Sequence, residues 1–537
     1  MLAAIRSAAV LGVEAYDVTV EVDATKGLPQ WTIVGLAAGA VKEAKERVAS
    51  ALANAGFLLP PRRYTINLAP ADQRKDGTAF DLPIALGVLV ATGQLDAAAV
   101  DGVAALGELG LDGSVRGVRG ILPVALHLAT SGARTRDDRL TLVVPPHNAD
   151  EARVVSRLHS VAPATLGALV AALRARGTGR WDGIATLPRR GETGGDGADA
   201  DTPTPGLVGA DERLDLRDVV GQESAKRALE IAAAGGHALL LVGPPGGGKT
   251  MLARRLAGIL PPLSEDEALE VMAIQSVAGV LSARGRIVGE RPFRAPHHTL
   301  SVAALIGGGS LPRPGEVSLA HHGVLFLDEL QEIPRSVLDA LRQPMEDGRV
   351  LISRAQQSLA FPARFALVGA MNPCPCGHAG QGARPCTCTP TDVSRHRARV
   401  SGPLADRLDM TIHVPAVSIA ALGERTEGEA SVLVRARVVA ARVRQHERYR
   451  RLRRVTCNAH VAGRWLDAHT PISTDARSLL TTSADRLALS ARGYHRVLKV
   501  ARTVADLDGS DGIEQMHVAE ALFVRTPDSL SARAEVA

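Results

Sequence analysis

Aromatic side chains are scarce: Phe, Trp and Tyr make up 3 % of the 537 residues. The cores must therefore come from Ala, Leu and Val, and a hydrophobic content of 46 % with 22 % charged residues excludes a wholly disordered chain. Five cysteines in so long a sequence exclude a disulfide scaffold. No apolar run reaches the roughly 20 residues of a membrane-spanning helix; the longest, LPIALGVLVAT at 82–92, is about half that. Glu14 and Asp17 come too early for the apolar core of a signal peptide. No sign of charge dominates, with 62 Lys and Arg against 57 Asp and Glu and a net charge of +5. Such a mildly basic balance permits nucleic-acid binding without demanding it. These absences predict a soluble, cytoplasmic protein with no membrane partner, and the length suggests about three domains.

The pattern along the chain divides accordingly. Residues 1–176 alternate strand-like stretches (18–23, 63–69, 140–146) with helix-like ones (41–57, 164–176), an α/β or α+β arrangement. Residues 177–212 contain RRGETGGDGADADTPTPG, a stretch with almost no apolar content, and read as a flexible linker. Within 213–425 three continuous apolar runs, HALLLVGP, VLFLDE and FALVGAMN, fit buried strands of a parallel sheet covered by helices. Residues 426–537 read as helical throughout: a long basic helix at 430–454, then 474–488, 491–508 and 514–525, the last opened by Asp511 and Glu514 in capping-box spacing.

One motif carries clear chemistry. Gly243-Pro244-Pro245-Gly246-Gly247-Gly248-Lys249-Thr250 satisfies G-x-x-x-x-G-K-[ST] between a strand and a helix. Glycines let backbone N–H groups wrap phosphates, and a helix N-terminus favours negative charge. Lys249 would reach the β- and γ-phosphates of ATP, and Thr250 would ligate Mg²⁺. Downstream, the VLFLDE run ends in Asp328, suited to the Mg²⁺ shell, and Glu329, suited to polarise the attacking water. A third strand ends at Asn372, a polar tip able to orient that water.

In this order the phosphate loop, acidic pair, third-strand Asn and helical lid resemble an AAA+ ATPase. The segments DVVGQESAKRALEIAAAGGH, GPPGGGKTMLARRL, RPFRAPHHTLS, GEVSLAHHGVLFLDEL, NPCPCG, SGPLADRLDM and SARGYHRVLKVARTVADL resemble, more narrowly, the YifB/ComM family of the magnesium-chelatase-like branch. The resemblance covers nearly the whole chain. It implies an α/β P-loop core with a parallel sheet and helical lid, with Val219, Val220 and Gly221 near the adenine. It also implies that Arg407 is an arginine finger acting on a neighbouring subunit, hence a ring, most simply a homo-hexamer. Arg492 would be the lid arginine sensing its own nucleotide, with Arg496 the other candidate.

Further readings attach to particular segments. Cys374, Cys376, Cys386 and Cys388 form two C-x-C pairs around a Gly-rich loop and suit a structural Zn²⁺; His378 could replace one thiolate. His297-His298 and His321-His322 read as packing or pore-facing residues before metal ligands, and Arg294 and Arg313 could follow a phosphate backbone. Residues 67–89 and 107–132 resemble the proteolytic domain of Lon proteases. The serine and lysine of that dyad fall at Ala79 and near Leu122, so a Lon-like fold without peptidase activity is expected. The nine arginines of 430–454 fit either a lid helix with a solvated face or a track for DNA phosphates.

Three functions follow. The resemblance implies an ATP-driven motor on single-stranded or branched DNA, a branch-migration helicase in recombination or natural transformation. A chelatase motor is the second, although no acidic metal-binding domain follows the lid. A protein-remodelling ATPase is the third.

Overall fold

The structure, a computed structural model, describes residues 2–135, 140–175, 181, 184–187, 214–282, 287–309, 312–353, 358–379, 385–400, 402–416, 428–452 and 455–525. The first part of the chain forms an eight-stranded mixed sheet. Its long antiparallel pair, Leu2–Leu11 with Glu14–Thr25, alternates buried and half-buried positions from Val18 to Ala24, as a sheet with one more deeply covered face requires. Helices Asp81–Ala91, buried along its whole length, and Ile121–Thr135 pack against this sheet. The helix expected over 41–57 is two, Gly39–Lys42 and Ala44–Asn54. Of the linker expected over 177–212, most lies outside the described residues. Ala185–Leu187 is a strand, paired antiparallel with His159–Ala162, so the first sheet extends past 176.

A second sheet has five parallel strands: β1 (Leu239–Val242), β2 (Phe293–Arg294), β3 (Val324–Leu327), β4 (Ala366–Met371) and β5 (Met410–His413). Their order is β2-β3-β4-β1-β5. The continuous apolar runs are explained by this placement, because β1 and β3 are buried at every position. Two helices pack on the sheet, α1 (Glu223–Gly235) and α2 (Lys249–Ile259), while α3 (Glu265–Ala278) packs on the helix Ile121–Thr135 of the first part. Met272 of α3 also joins the apolar cluster of the first sheet, and the Ser276 hydroxyl donates to buried Glu151 there.

The C-terminal part is helical, with α4 (Ser431–Tyr449) and α5 (Ala491–Leu507) packed on each other and on α1. The last helix, Gln515–Phe523, is capped by Glu514 with His517; Asp511 instead pairs with Arg444. Asp511 and Gly512 form a bend ahead of Ile513, which bridges to Ile472, so the helix starts after Glu514 and Asp511 does not cap it. The arginines of α4 are largely engaged inside the fold. Arg437 bonds Glu230 and Glu429, Arg442 donates to Ala233 O, Arg435 to Gly258 O, and Arg448 reaches Asp506. Among the described residues no helix is long and apolar enough to cross a membrane.

Candidate nucleotide-binding site

The loop between β1 and α2 takes the shape its glycines permit. Gly246 and Gly248 have φ of +74° and +84°, a region costly for any residue with a Cβ, and a Cβ on Gly243 would meet Val414 O at 2.2 Å. The loop lines a pocket of about 430 Å³ with Lys249, Thr250, Met251, Asp328, Glu329, Gln331, Met371 and Asn372. Three strands thus deliver their C-terminal residues to one place: β1 the loop, β3 the two acids, and β4, which lies between them, the asparagine.

Within the pocket Lys249, Thr250 and Asp328 are paired, while Gln331 Oε1 is buried without a partner among the described residues. The Lys249 ammonium donates to Gly243 O at 2.8 Å, Pro244 O at 2.9 Å and Asn372 Oδ1 at 3.0 Å. Burial pulls its pKa below the ordinary lysine value, against the pull of Asp328 and Glu329. The Thr250 hydroxyl donates to Asp328 Oδ2 at 2.6 Å, so both oxygens sit where one hard cation would take them as ligands. The other Asp328 oxygen accepts the Glu329 N–H at 2.9 Å. Glu329 is exposed toward the pocket, with φ of +47° and His298 Nδ1 at 3.4 Å from its carboxylate.

Other expected positions stand elsewhere. Val219 is buried and Gly221 exposed, and neither they nor Val220 line the pocket. Their neighbour Gln222, overlooked in the sequence, is the link: its amide donates to Gly247 O at 3.1 Å and Pro415 O at 2.9 Å from a left-handed backbone (φ +63°). A side chain donating to two carbonyls has no signature beyond its place beside Gly221. Arg407 and Arg492 do not line the pocket either. Arg407 is paired with Glu346, Arg492 is exposed at the start of α5, and Arg496 is 3.6 Å from Asp409 with Leu408 O within 3.4 Å. Arg294 is held by Glu316 at 2.7 and 2.8 Å, which corrects its reading as a free phosphate contact; Arg313 is exposed.

The four clustered cysteines converge. Cys374 Sγ lies 3.3 Å from Cys376 Sγ and 3.7 Å from Cys386 Sγ, and Cys376 and Cys386 are 3.6 Å apart. With Cys388 all four sulfurs fall within 4.8 Å of one another. Four Zn–S bonds of tetrahedral geometry set sulfurs about 3.8 Å apart, so the cluster fits Zn²⁺. Backbone N–H groups of His378 and Thr387 lower the Cys376 thiol to about 5, while crowding against the other sulfurs raises Cys386 and pushes Cys388 up to about 12, as four thiols sharing one site without a cation must. His378 is not in the group. The cluster abuts the phosphate loop, because a Cβ on Gly377 would meet Pro245 Cδ at 2.4 Å.

His321 and His322 are buried and share Glu270, at 3.0 and 2.9 Å from their Nε2 atoms. His321 Nδ1 accepts the Arg364 N–H at 3.0 Å, so the proton of the neutral ring is on Nε2 and donates to Glu270. That leaves no lone pair of His321 for a metal. The packing role expected for this pair is the better account of its geometry.

Comparison with known proteins agrees with this architecture. The family described as magnesium chelatase, subunit ChlI, matches residues 215–422; related descriptions of the same subunit match 20–148 and, as its C-terminal part, 428–525. An uncharacterized protein YifB of Salmonella typhimurium is 43 % identical over 98 % of both chains. The competence protein ComM of Haemophilus influenzae is 44 % identical over 98 % of this chain and 97 % of its own. A magnesium-chelatase 38 kDa subunit of Rhodobacter capsulatus is 30 % identical, over 29 % of this chain and 49 % of its own. The chain belongs to the YifB/ComM family of magnesium-chelatase-like AAA+ ATPases.

Proposed function

We propose that the protein is a homo-hexameric motor that hydrolyses ATP and acts on single-stranded or branched DNA, as a branch-migration helicase in recombination or natural transformation. The observation that carries hydrolysis is the convergence of Lys249, Thr250, Asp328, Glu329 and Asn372 on one pocket. Mg²⁺ bound with ATP would neutralise phosphate charge; Thr250 and Asp328 would hold it. The phosphates compete with Gly243 O, Pro244 O and Asn372 for the Lys249 ammonium. Glu329, exposed to the pocket, takes the proton of the attacking water, and the Asn372 amide orients that water.

A ring is supported by the place of Arg407. It precedes β5, whose first residue Met410 pairs with Leu239, whereas the phosphate loop leaves β1 at the other end, after Val242. About 13 Å of strand separates the two levels, so Arg407 is better placed to serve a neighbouring copy. The DNA role rests on the likeness to a competence protein. Structural Zn²⁺ on Cys374, Cys376, Cys386 and Cys388 would brace the phosphate loop through Gly377 and Pro245.

One observation favours the second reading, a protein-remodelling or chelatase-type motor: the arginines of α4 that would track DNA mostly bind carboxylates and carbonyls of this chain. Steady-state ATPase with and without single-stranded, duplex and four-way-junction DNA separates the two, with Glu329→Gln as the blank. Stimulation by junction or single-stranded DNA is expected. Turnover indifferent to every DNA would transfer the assignment to protein remodelling.

A further inference from the structure

A buried chain of polar groups joins the lid to the segment that carries Arg407. It begins on α5, where Arg492, Arg496, Lys499 and Thr503 recur at spacings of four, three and four and therefore share one face. Thr503 is fully buried. Its single hydroxyl proton goes to Lys499 O at 3.0 Å, and its oxygen accepts the Asn458 amide at 2.9 Å. The same hydroxyl is hydrogen-bonded to His237 Nε2 at 2.7 Å.

The other ring nitrogen of His237 faces the Asp409 carboxylate at 3.3 Å. Facing a carboxylate, Nδ1 is the ring nitrogen placed to donate to it. Burial alone would raise the Asp409 carboxyl, but the His237 hydrogen bond and the nearby Arg496 and Lys499 cations hold it below its ordinary value. The same carboxylate accepts the Ala238 N–H at 3.2 Å, at the residue just before β1. Space for the contact is kept by Gly235, where a Cβ would meet the His237 ring at 2.2 Å and Thr503 Oγ1 at 2.6 Å.

Asp409 is two residues from Arg407. The turn between them is clamped from the lid side as well: Leu408 O accepts from Arg496 at 3.4 Å and from Arg525 at 3.1 Å, and Asp409 O accepts from Arg525 at 3.2 Å. Among the described residues, these ties of the turn to the lid come from α5 and from Arg525. Any rotation of α5 on the core must move the turn or break these bonds. Buried, fully satisfied networks of this kind have discrete arrangements and do not deform smoothly.

We propose that the buried Thr503–His237–Asp409 bridge is the positioning element through which the lid helix sets Arg407. It rests on the reading of Arg407 as the arginine that serves a neighbouring copy's ATP. The three residues touch no substrate and act through Arg407. The nucleotide state sensed at the exposed start of α5, beside Arg492, is carried along one helix face to the arginine offered across the ring.

The test uses the full-length protein and five variants: Thr503→Val, which keeps the shape and loses the hydroxyl; Thr503→Ser, which restores it; Arg407→Ala; Thr503→Val combined with Arg407→Ala; and Gly235→Ala. Turnover is followed with radiolabelled ATP so that slow variants are measurable, and ATP affinity is read separately in a Glu329→Gln background. Thr503→Val is expected to lower kcat about tenfold with Kd for ATP unchanged, Thr503→Ser to recover it, and Thr503→Val to have no further effect once Arg407 is Ala. Gly235→Ala, which wedges the bridge apart from its other side, is expected to reproduce the kcat loss. Equal fold-losses from Thr503→Val with and without Arg407 would overturn the bridge and leave the arginine's role intact. Full activity of Arg407→Ala would overturn the arginine's role and the bridge together.

Discussion

The Lys249 ammonium and the Asn372 amide oxygen stand 3.0 Å apart, although 123 positions separate them in sequence. The bond joins the phosphate loop to the tip of β4, and it makes Asn372 a partner of the lysine as well as a candidate for orienting water. Asn372→Ala is expected to lower kcat by about a hundredfold, the scale of losing one well-placed polar group in an enclosed site. Asn372→Asp behaves differently. A third carboxylate beside Asp328 and Glu329 would hold Lys249 as an ion pair and repel phosphate, so KM for ATP should rise along with the fall in kcat. Steady-state kinetics of both variants check this; equal KM for the two would contradict it.

The cysteine cluster makes a prediction about composition. Purified protein should carry one zinc per chain by elemental analysis, and stripping it should loosen the phosphate loop because Gly377 abuts Pro245. The apo protein is expected to show a lower Tm and weaker ATP binding, both restored by added Zn²⁺. Replacing Cys374 and Cys386 with Ser should reproduce the loss without the recovery.

A third prediction concerns the lid alone. Arg502, fully buried, lies 3.0 Å from Asp506, which also accepts from Arg448 at 2.5 and 2.9 Å and from Asn458 at 2.9 Å. Asp506→Ala leaves two cations facing each other in the interior. It should cost about 3–5 kcal/mol, the scale of breaking a buried pair from one side, read by denaturant unfolding. Asp506→Asn, which keeps the hydrogen-bond acceptor, should cost less.

Stability should also fall with acid around His321. Burial depresses its pKa to about 4, with Glu270, His322 and Arg364 facing it, whereas an unfolded histidine titrates near 6.5. Between these values the unfolded chain binds more protons than the folded one. The contribution of the neutral ring is therefore complete above about pH 6.5 and is lost as the pH falls toward 4. Denaturant midpoints at pH 7, 5.5 and 4.5 should decline, and His321→Gln should flatten that decline. An unchanged slope in the variant would assign it to other groups.

Continuous apolar runs were enough to find β1, β3 and β4, since a strand covered on both faces must be apolar throughout, as β1 and β3 are, but not the two edge strands β2 and β5. The phosphate loop was equally legible, because the demand for glycine at left-handed positions such as Gly246 and Gly248 is local. The fate of the basic helix was not. Arginine looks the same in sequence whether it meets a nucleic acid or a carbonyl, and only the packing of α4 on α1 brought Arg437 to Glu230 and Arg442 to Ala233 O.

By itself, then, the sequence determined where phosphates can be wrapped, which strands are buried and which acids end a strand, because each is a property of neighbouring residues. Tertiary structure alone decided that Gln222 ties the phosphate loop, that His298 stands beside Glu329 and that His237 lies between Asp409 and Thr503. Each of those relations joins segments tens to hundreds of positions apart. Their geometry depends on how strand order and helix packing close the chain on itself, and no local pattern encodes a hydrogen bond whose two ends meet only when the fold is complete.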